Sequence, residues 1–493
     1  MNTTQYNTSL DALLDAIDIR ELRDALPPDT VISAVTADSR AVGAGSLFVA
    51  VRGVAVDGHK FIPKAIEAGA SVIVAEELPD ALPQGVLGVC VADSRDALGR
   101  LASRFFGDPS EALTLVGVTG TNGKTTTATL LYEMARMRGL KAGLISTVAN
   151  IVVDEAVPAE HTTPDPVMLN SLLRRMVDAG CTFAAMEVSS HAADQHRISG
   201  LTFAGGIFTN ITRDHLDYHK TFDNYLRAKK SFFDMLPPEA FALTNIDDRN
   251  GEVMLQNTPA QRRATYSVRS LADYTVRVVE DRLDGMLLEF NGHPVETMFV
   301  GRFNASNLAA VYGAASLLGV PQDELDVLMS RLTPVAGRFQ PFRSADGVTA
   351  IVDYAHTPDA LVNVLETIRE VGQDARIITV CGAGGDRDKG KRPQMAHAAA
   401  GLSDLLILTS DNPRSERPED ILADMQAGLT PDEKERTETV VDRREAIRRA
   451  VATANPGDVI LIAGKGHETT QTIGAEVFHF DDREEVRKAL GLD

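Results

Sequence analysis

The sequence predicts an α/β protein in which parallel sheets are wrapped by helices. Short apolar runs alternate with helical patterns along all 493 residues, which is typical of βαβ units. A glycine-rich turn also separates one strand-like run from a helix-like segment. At about 150 residues per domain, the length allows roughly three domains. We therefore expect a three-domain α/β chain.

The first predicted domain covers residues 1–108. A helix-like segment closed by Gly69 lies between its first two strand-like runs, and turn residues at 107–111 precede the next strand. The strand-like runs are 46–51, 71–75 and 86–92.

The second and third predicted domains cover residues 109–336 and 337–493. The second has strand-like runs at 113–119, 183–188, 205–210 and 241–245, with a helix ending at Gly139 after the first run. The third has the strand-like runs TAIVDY, RIITVCG, LLILTS and VILIAG, and its helices include REAIRRAVATA. Both patterns indicate a parallel sheet covered by helices.

Composition excludes several classes of protein. The formal net charge is -20, which disfavours non-specific binding to nucleic acid or to an anionic membrane. No apolar stretch approaches about 18 residues, and no basic start precedes an apolar core. Cys90, Cys181 and Cys381 lie in apolar, strand-like runs and form no C-x-x-C pair, so we expect buried structural thiols in a reducing compartment. These observations predict a cytoplasmic protein, for which we expect a monomer.

The strongest local signal is the turn G-T-N-G-K-T-T. Glycines let the backbone approach phosphate oxygens, and the following helix offers free N–H groups. Lys124 is placed to reach the β- and γ-phosphates of a nucleotide and Thr125 to bind Mg²⁺. The usual P-loop glycine is replaced by Val118, which indicates a variant loop. The predicted ATP-binding residues of the turn are Gly120, Thr121, Asn122, Gly123, Lys124, Thr125 and Thr126.

The run G-V-T-G-T-N-G-K-T-T is similar to the ATP loop of the Mur ligases, a loop shared with folylpolyglutamate synthases. Further motifs that resemble this family follow in order along nearly the whole chain. The resemblance implies a central P-loop ATPase-like parallel sheet and a C-terminal Rossmann-like domain. It also implies an ATP-dependent ligase that forms an amide bond on a UDP-N-acetylmuramoyl-dipeptide during cell-wall synthesis.

Acidic and imidazole side chains follow the strands of the second domain in MEVSSH and TRDHLDYH. Glu187 and His215 are candidate Mg²⁺ ligands together with Thr125. His191 and His219 are expected to be hydrogen-bonded surface histidines. The resemblance assigns Lys229 as a lysine that CO₂ converts to a carbamate, a metal ligand; Lys230 beside it is expected on the helix surface.

The resemblance also implies contacts with the UDP-linked substrate. A-D-S-R in the first domain supplies Ser39. The loop H-T-T-P and the motifs that follow it supply Thr162, Thr163, Ser189, Gln195 and Arg197. His161 stands where the family often has Asn, and the stretch 52–58 is less polar than in relatives, so the sequence leaves both roles open.

In the third domain the resemblance implies contacts with the nucleotide and with the added amino acid. The nucleotide-side residues are Asn304, Asn307, Arg338 and Asp353. The candidate residues for meso-diaminopimelate are Arg387, Asp411, Asn412, Pro413, Arg414, Gly464 and Glu468. The arginines would clamp the distal carboxylate, and Glu468 would accept from the distal ammonium. In catalysis the resemblance gives parts to Lys124, Lys229, His215 and Arg338.

Three alternatives stay open on the sequence alone. A lysine-adding ligase of the same family and a folylpolyglutamate-type ligase share much of the pattern. A nucleotide-dependent switch would hydrolyse ATP without forming a bond. D-N-P-R favours diaminopimelate, because the lysine-adding relatives typically have an acidic residue where Asn412 stands.

Overall fold

The computed structural model describes residues 6–53, 56–158, 161–212, 214–372 and 374–493. The chain divides into two compact units. The first is Met1–Tyr274 with Gly313–Val320, and the second is Thr275–Tyr312 with Pro321–Asp493. The α/β prediction is confirmed, since strands and helices alternate through both units. In the described part of the chain, no helix has the length and apolar character needed to cross a membrane.

The first unit opens with a small sheet. Its elements are β1 (Thr8–Ser9), α1 (Leu10–Leu14), β2 (Ile19–Arg23), β3 (Val31–Ile32), β4 (Ala34–Thr36), β5 (Ser46–Ala50), a 3₁₀ turn (Gly58–Phe61), α2 (Ile62–Glu67), β6 (Ala70–Ala75), β7 (Leu87–Val91) and α3 (Ser94–Phe105). The sheet has the strand order β2-β7-β6-β5-β4, with β4 to β7 parallel and β2 antiparallel. Strands β1 and β3 form a separate antiparallel pair.

Both faces of this first sheet are covered. Leu47 and Val49 of β5 pack into one apolar cluster, whereas Phe48 and Ala50 pack into another. A strand buried on both faces needs a continuous apolar run instead of an alternating one. That explains why β5, β6 and β7 could be predicted from the sequence.

The remainder of the first unit carries the glycine-rich turn. After a 3₁₀ turn (Pro109–Ala112), its elements are β8 (Thr114–Thr119), α4 (Lys124–Met137), β9 (Ala142–Ile145), β10 (Asn150–Val152), β11 (Glu155–Val157), α5 (Pro166–Asp178), β12 (Phe183–Glu187), α6 (Ser190–Asp194), β13 (Gly205–Phe208), α7 (Leu216–His219), α8 (Phe222–Asp234), β14 (Phe241–Asn245), α9 (Gly251–Leu255) and β15 (Arg262–Ser267). The order β9-β12-β8-β13-β14-β15 is parallel, and β10 and β11 extend it as an antiparallel hairpin.

Strand β8 lies inside this parallel sheet, where a helix approaches it closely. A Cβ atom on Gly117 would lie 2.5 Å from the Phe232 ring of α8. Glycine at this position lets α8 pack against the sheet, and α8 carries Lys229. Helix α8 includes the whole run from Tyr225 to Phe233.

The second unit contains a meander followed by a larger sheet, although the first residue of its first strand and the last five residues of its first helix belong to the first unit. Its elements are β16 (Tyr274–Arg282), β17 (Gly285–Phe290), β18 (His293–Thr297), α10 (Arg302–Leu317), α11 (Gln322–Arg331), β19 (Gln340–Arg343), β20 (Thr349–Asp353), α12 (Pro358–Gly372), β21 (Ile377–Cys381), α13 (Lys391–Leu402), β22 (Leu405–Leu408), α14 (Pro418–Gln426), α15 (Pro431–Glu435), β23 (Thr437–Thr439), α16 (Arg443–Thr453), β24 (Val459–Ala463), β25 (Thr470–Ile473), β26 (Glu476–His479) and α17 (Asp482–Leu490).

The larger sheet has the order β19-β20-β24-β21-β22-β23, in which β19 is antiparallel and the others are parallel. Strands β20, β21, β22 and β24 are the four apolar runs of the sequence. The antiparallel meander of β16, β17 and β18 and the antiparallel pair of β25 and β26 were not predicted, because their exposed residues interrupt the apolar pattern.

The cysteines differ in burial. Cys181 and Cys381 are buried, as predicted, and all three thiols are free. Cys90 is only partly buried, which corrects the prediction of three buried thiols. It lies at the edge of the apolar core and directs its Sγ to the carbonyl oxygen of Glu76 at 3.3 Å.

A buried ion pair joins the last two helices. Arg443 of α16 and Asp482 of α17 are fully buried, and Nε and Nη2 of the arginine donate to the two carboxylate oxygens at 2.7 Å each. Nη2 also donates to the carbonyl oxygen of Ala463 at 2.9 Å. The arginine therefore connects both helices to the end of β24.

Replacing Arg443 with Met should lower the free energy of unfolding by about 3–5 kcal/mol, because Asp482 is left as an unpaired buried charge. Urea unfolding followed by circular dichroism measures this. The double variant Arg443→Met with Asp482→Leu should recover most of the loss. Arg449→Met is the control in the same helix, since the ion pair of Arg449 with Glu438 is exposed. Equal losses in the two single variants would contradict the argument.

Candidate functional site

The glycine-rich turn connects the end of β8 to the start of α4. Gly120 has a φ of +152°, and a Cβ atom there would lie 1.9 Å from Thr209 Oγ1. Gly123 precedes α4 with a φ of +83°. Both positions therefore require glycine. The N-terminus of a fourteen-residue helix, α4, is directed at the turn, an arrangement suited to an anion.

The turn is held by the residues that follow β13. Asn122 donates its N–H to Asn210 Oδ1 at 2.9 Å, and its carbonyl oxygen accepts from Thr209 Oγ1 at 2.6 Å and Asn210 Nδ2 at 3.1 Å. Thr121 Oγ1 is 3.0 Å from Tyr225 Oη of α8. The backbone of the turn is thus fixed from two sides, which leaves it preorganised for a ligand.

Two lysines converge on one carbonyl oxygen of the turn. Lys124 Nζ donates to the oxygens of Gly120 and Thr121 at 3.0 and 2.9 Å, and Lys229 Nζ donates to the Gly120 oxygen at 2.6 Å. Lys229 is 1% exposed, and its Nζ lies 4.6 Å from the centre of the Tyr225 ring. Burial holds the pKa of Lys229 well below its ordinary value, and the nearby charge of Lys124 adds to the effect. The neutral amine is favoured there.

The neighbouring lysine is placed differently. Lys230 forms an ion pair with Asp234 one turn further along α8, where the carboxylate is about half exposed. The sequence could not separate Lys229 from Lys230 by residue type. The structure separates them by direction, since only Lys229 faces the turn.

Glu187 ends β12 and is 1% exposed. Its Oε1 accepts from Thr147 N–H at 2.7 Å. Its Oε2 is buried and has no hydrogen-bond partner among the residues that the structure describes. A buried carboxylate oxygen without a donor fits a cation, because leaving it uncompensated is costly. Among the described residues there is no group of three or more His, Cys, Asp or Glu side chains that could hold a metal ion. Mg²⁺ would therefore need further oxygens from phosphate or water.

His215 precedes α7 in a left-handed conformation with a φ of +54°. Its ring is part of a stack in which the centres of His191 and His215 are 4.9 Å apart and those of His215 and Tyr225 are 6.2 Å apart. Burial and the charge of His215 lower the pKa of His191 to about 4. The surface position expected for His219 is wrong: it is buried, and its Nε2 lies 3.0 Å from Ser190 Oγ. The rings of His191, Tyr218 and Tyr225 pack against it, with centres 5.5, 4.8 and 5.2 Å away.

The residues predicted to contact the UDP-linked substrate form one network beside Glu187. Thr163 Oγ1 donates to the carbonyl oxygen of Glu187 at 2.8 Å and lies 3.4 Å from Ser189 Oγ. Arg197 donates to the carbonyl oxygen of Thr163 at 2.7 Å and to Gln195 Oε1 at 2.8 Å. These contacts place polar side chains next to the carboxylate at the end of β12.

Two further predicted substrate residues differ in their relation to this network. Thr162 joins it, because Thr147 Oγ1 donates to its Oγ1 at 3.1 Å. Ser39 is buried in the turn that follows β4 and is not brought into this network. His161 is exposed. Residues 54 and 55 of the 52–58 stretch and Arg213 of TRDHLDYH lie outside the described residues.

In the second unit, the predicted nucleotide-side residues occupy two neighbouring places. Asp353 ends β20 and accepts from the N–H groups of Phe339 and Ala355 at 2.7 Å each, and burial raises its pKa. The Arg338 guanidinium lies 4.6 Å from the centre of the Tyr354 ring. Asn304 and Asn307 are buried in α10, where Asn307 Nδ2 donates to Asn304 Oδ1 at 3.3 Å.

The three loops predicted to hold the amino acid come together. Arg414 Nη1 donates to the carbonyl oxygen of Gly385 at 2.7 Å. A Cβ atom on Gly384 would lie 3.0 Å from Arg414 Nη1 and 3.6 Å from Arg387 Cγ, so both arginines border this glycine. Asn412 Nδ2 donates to Glu468 Oε2 at 2.8 Å.

The remaining residues of these loops pack closely behind the polar side chains. A Cβ atom on Gly464 would lie 2.7 Å from Asp411 Oδ2, and one on Gly385 would lie 1.8 Å from the carbonyl oxygen of Pro413. Both glycines therefore permit a backbone approach that a larger residue would block. Arginine cations and acidic carboxylates thus lie close together in the loops that follow the strands.

Two buried cations, one at the start of α13 and one in the loop after β24, were not among the predicted site residues. Arg392 is 1% exposed, and its Nη1 and Nη2 donate to the carboxylate of Glu416 at 2.9 and 2.7 Å. Lys465 is 0% exposed and contacts Asn412 and Glu468. A basic residue two positions after a buried strand was the available signal for Lys465.

The fold and the turn define an α/β nucleotide-binding protein with a polar network beside the phosphate-binding element. Three family models match the chain: "Mur ligase family, catalytic domain" at residues 31–106, "Mur ligase middle domain" at 118–315 and "Mur ligase, glutamate ligase domain" at 337–466. The chain belongs to the Mur ligase family. Like its family, it is an ATP-dependent ligase that forms amide bonds.

Full-length relatives agree with the family models. A Parabacteroides distasonis protein named UDP-N-acetylmuramoyl-L-alanyl-D-glutamate–2,6-diaminopimelate ligase is 59% identical over 478 residues, 97% of this chain and 98% of that protein. A Bacteroides fragilis protein of the same name is 58% identical over 465 residues, 94% of this chain and 96% of that protein. A solved structure with that name has 34% identity and a TM-score of 0.71, covering 99% of each chain.

Replacing Gly120 with Ala should abolish ATP binding, because the added Cβ would overlap Thr209 Oγ1 and displace the turn. Titration with a fluorescent ATP analogue measures the effect. Gly139→Ala, at the other end of α4, is the control: φ there is +79°, but nothing lies within 4 Å of the added Cβ. That variant should lose some stability and keep its ATP affinity. Normal ATP binding by Gly120→Ala would contradict the role of the turn.

Proposed function

We propose that this chain adds meso-2,6-diaminopimelate to UDP-N-acetylmuramoyl-L-alanyl-D-glutamate, with conversion of ATP to ADP and phosphate, in peptidoglycan synthesis. The observation that carries the proposal is the meeting of the 384–392, 411–414 and 463–468 loops. They combine arginines for a carboxylate with a carboxylate for an ammonium, and meso-diaminopimelate carries both groups on its distal carbon. The relatives of this name align over nearly the whole chain, which supports the same substrate.

The chemistry that this function requires is phosphoryl transfer followed by aminolysis. The side-chain carboxylate of the terminal D-glutamate attacks the γ-phosphorus of ATP, and an acyl phosphate forms as ADP leaves. The amine of diaminopimelate then attacks the acyl carbon, and the tetrahedral intermediate expels phosphate to leave the amide. Lys124 neutralises charge on the transferring phosphoryl group, and the backbone N–H groups of the turn orient it.

Mg²⁺ fits the residues beside the turn, and its contribution is to neutralise phosphate charge. Thr125, Glu187, His215 and the carbamate of Lys229 would hold it. The unpartnered Oε2 of Glu187 supports this assignment. The lowered pKa of Lys229 supports carbamylation, because CO₂ reacts with the neutral amine. The carbamate would put an anion in the place of a neutral amine, where it could help to hold the metal ion.

The polar network of Thr162, Thr163, Ser189, Gln195 and Arg197 is proposed to bind the muramyl-peptide part of the substrate, and Ser39 the uridine. In this proposal residues 1–108 receive the UDP part, residues 109–336 receive ATP, and residues 337–493 receive the amino acid. The protein acts as a monomer in the cytoplasm, where ATP and these precursors are available.

The rival functions differ in what they require for phosphate release. The proposed ligase releases phosphate only when both the UDP-linked dipeptide and diaminopimelate are present. A nucleotide-dependent switch would hydrolyse ATP at the same rate without them. A folylpolyglutamate-type ligase would accept glutamate and a folate instead. Measuring phosphate release with each substrate omitted in turn separates the three, and rapid hydrolysis without substrates would overturn the ligase proposal.

Replacing Lys229 with Ala should abolish ligation, because the carbamate can no longer form. Added formate or acetate should restore part of the activity by supplying a carboxylate in its place. Lys230→Ala is the matched control on the same helix and should remain active without added carboxylate. Amide formation is followed by chromatography of the UDP-linked product. Full activity of Lys229→Ala would rule out the carbamate.

Replacing Asn412 with Asp should weaken the use of diaminopimelate relative to lysine by about tenfold or more, since a carboxylate would stand 2.8 Å from the carboxylate oxygen of Glu468. The ratio of kcat/KM for the two amino acids, measured in competition, reports the change. Asn363→Asp on the exposed side of α12 introduces the same charge elsewhere in the unit and should leave the ratio unchanged. Unaltered selectivity in Asn412→Asp would refute the assignment of this loop.

A further inference from the structure

Lys465 is a fully buried cation two residues after the end of β24. Its Nζ donates to Thr470 O at 2.6 Å, Glu468 Oε2 at 3.0 Å and Asn412 Oδ1 at 3.3 Å. An ammonium group has three N–H donors, and each has an acceptor here. Lysine is almost never fully buried unless its charge is compensated. In this place Glu468 supplies the compensating charge.

These contacts fix the orientation of the Asn412 side chain. Its Oδ1 accepts from Thr472 N–H at 2.9 Å and from Lys465, while its Nδ2 donates to Glu468 Oε2. Rotating the amide by half a turn would place NH₂ against two donors and the oxygen against a carboxylate. Lys465 therefore makes one arrangement of Asn412 much more favourable than the other.

The same contacts fix Glu468. Its Oε2 receives one hydrogen bond from Asn412 and one from Lys465. For Oε1 no hydrogen-bond donor occurs within the described residues, and the side chain is 31% exposed. The carboxylate thus offers a single oxygen in a defined direction, which is suited to one ammonium group.

The charge of Lys465 also changes what the site prefers. With Lys465 beside Glu468, the pair has no net charge, so a simple ammonium gains little long-range attraction. A distal carbon that carries a carboxylate as well as an ammonium adds an anion for Arg387 and Arg414. An ammonium without that carboxylate meets Lys465 and both arginines with no compensating group.

We propose that Lys465 is a positioning and selectivity residue for the amino-acid substrate. It holds Asn412 and Glu468 in one arrangement, and its charge biases the site towards a distal carbon bearing both a carboxylate and an ammonium. The proposal rests on the proposed function, because it concerns the same amino-acid site.

The test compares two ligands that differ only in the distal amine. meso-Diaminopimelate is the substrate, and 2-aminopimelate, which keeps the distal carboxylate, is used as a competitive inhibitor. Lys465→Met should raise the KM for diaminopimelate by about tenfold or more, because Asn412 and Glu468 lose the charged hydrogen bonds that hold them in the arrangement that receives the distal ammonium. The KM for ATP and the inhibition constant of 2-aminopimelate should stay nearly unchanged. Lys488→Met, an exposed lysine of α17, is the control and should alter none of them.

A second variant separates action through Glu468 from a general loss of structure. In Glu468→Gln the ammonium partner is already weakened, so adding Lys465→Met should raise the KM for diaminopimelate no further. The double variant removes both charges of the pair, so it also serves where Lys465→Met alone does not fold. A further rise of about tenfold in the double variant would overturn the proposal.

Two other results would also overturn it. One is an unchanged KM for diaminopimelate in Lys465→Met. The other is an equal weakening of diaminopimelate and 2-aminopimelate, which a merely structural role would give. The wild-type chain separates this proposal from the proposed function. Failure of the wild type to ligate diaminopimelate overturns both, whereas normal wild-type ligation with either of these results overturns only the role of Lys465.

Discussion

The glycine-rich turn of the first unit depends on the hydrogen bonds that two lysines donate to the carbonyl oxygen of Gly120. Lys124 from the start of α4 and Lys229 from α8 both donate to it. A lysine buried as deeply as Lys229 is costly as a cation, and this oxygen is its hydrogen-bond acceptor. The same oxygen belongs to the turn that Thr209 and Asn210 hold in place. One backbone atom therefore links the phosphate-binding turn to the proposed metal ligand on a different helix.

In the second unit, side-chain carboxylates compensate the buried cations, where a backbone carbonyl oxygen accepts from the buried lysine in the first unit. Arg392, Arg443 and Lys465 are buried, and each is paired with a carboxylate of another loop or helix or, for Lys465, of the same loop. Such pairs do not need to stabilise the fold strongly, because desolvation offsets much of the attraction. They do specify which loops lie together. The pairs of Arg392 and Lys465 lie at the loops proposed to bind the amino acid, whereas the pair of Arg443 joins two helices.

The sequence predicted the strands that are buried on both faces, because each is a short continuous apolar run such as VILIA in β24. It could not predict β16 to β18 or the β25–β26 hairpin, whose exposed residues break that pattern. At the site, Gly120 to Thr126 could be predicted because a strand, a turn and a helix agree over a few residues. The burial of Lys229, the unpartnered oxygen of Glu187 and the contacts of Lys465 depend on residues distant in the chain, so the sequence carried no local signal for them.

The order of strands in the larger sheet has a consequence for synthesis on the ribosome. Strand β24 lies between β20 and β21, yet it is the last strand of that sheet to be made. Until residue 463 has left the exit tunnel, β20 and β21 expose unpaired edges and apolar faces, the kind of surface that chaperones bind. A premature stop before Val459 would leave this gap permanently. The nascent chain is thus vulnerable to aggregation and proteolysis until β24 has been translated and has paired with β20 and β21.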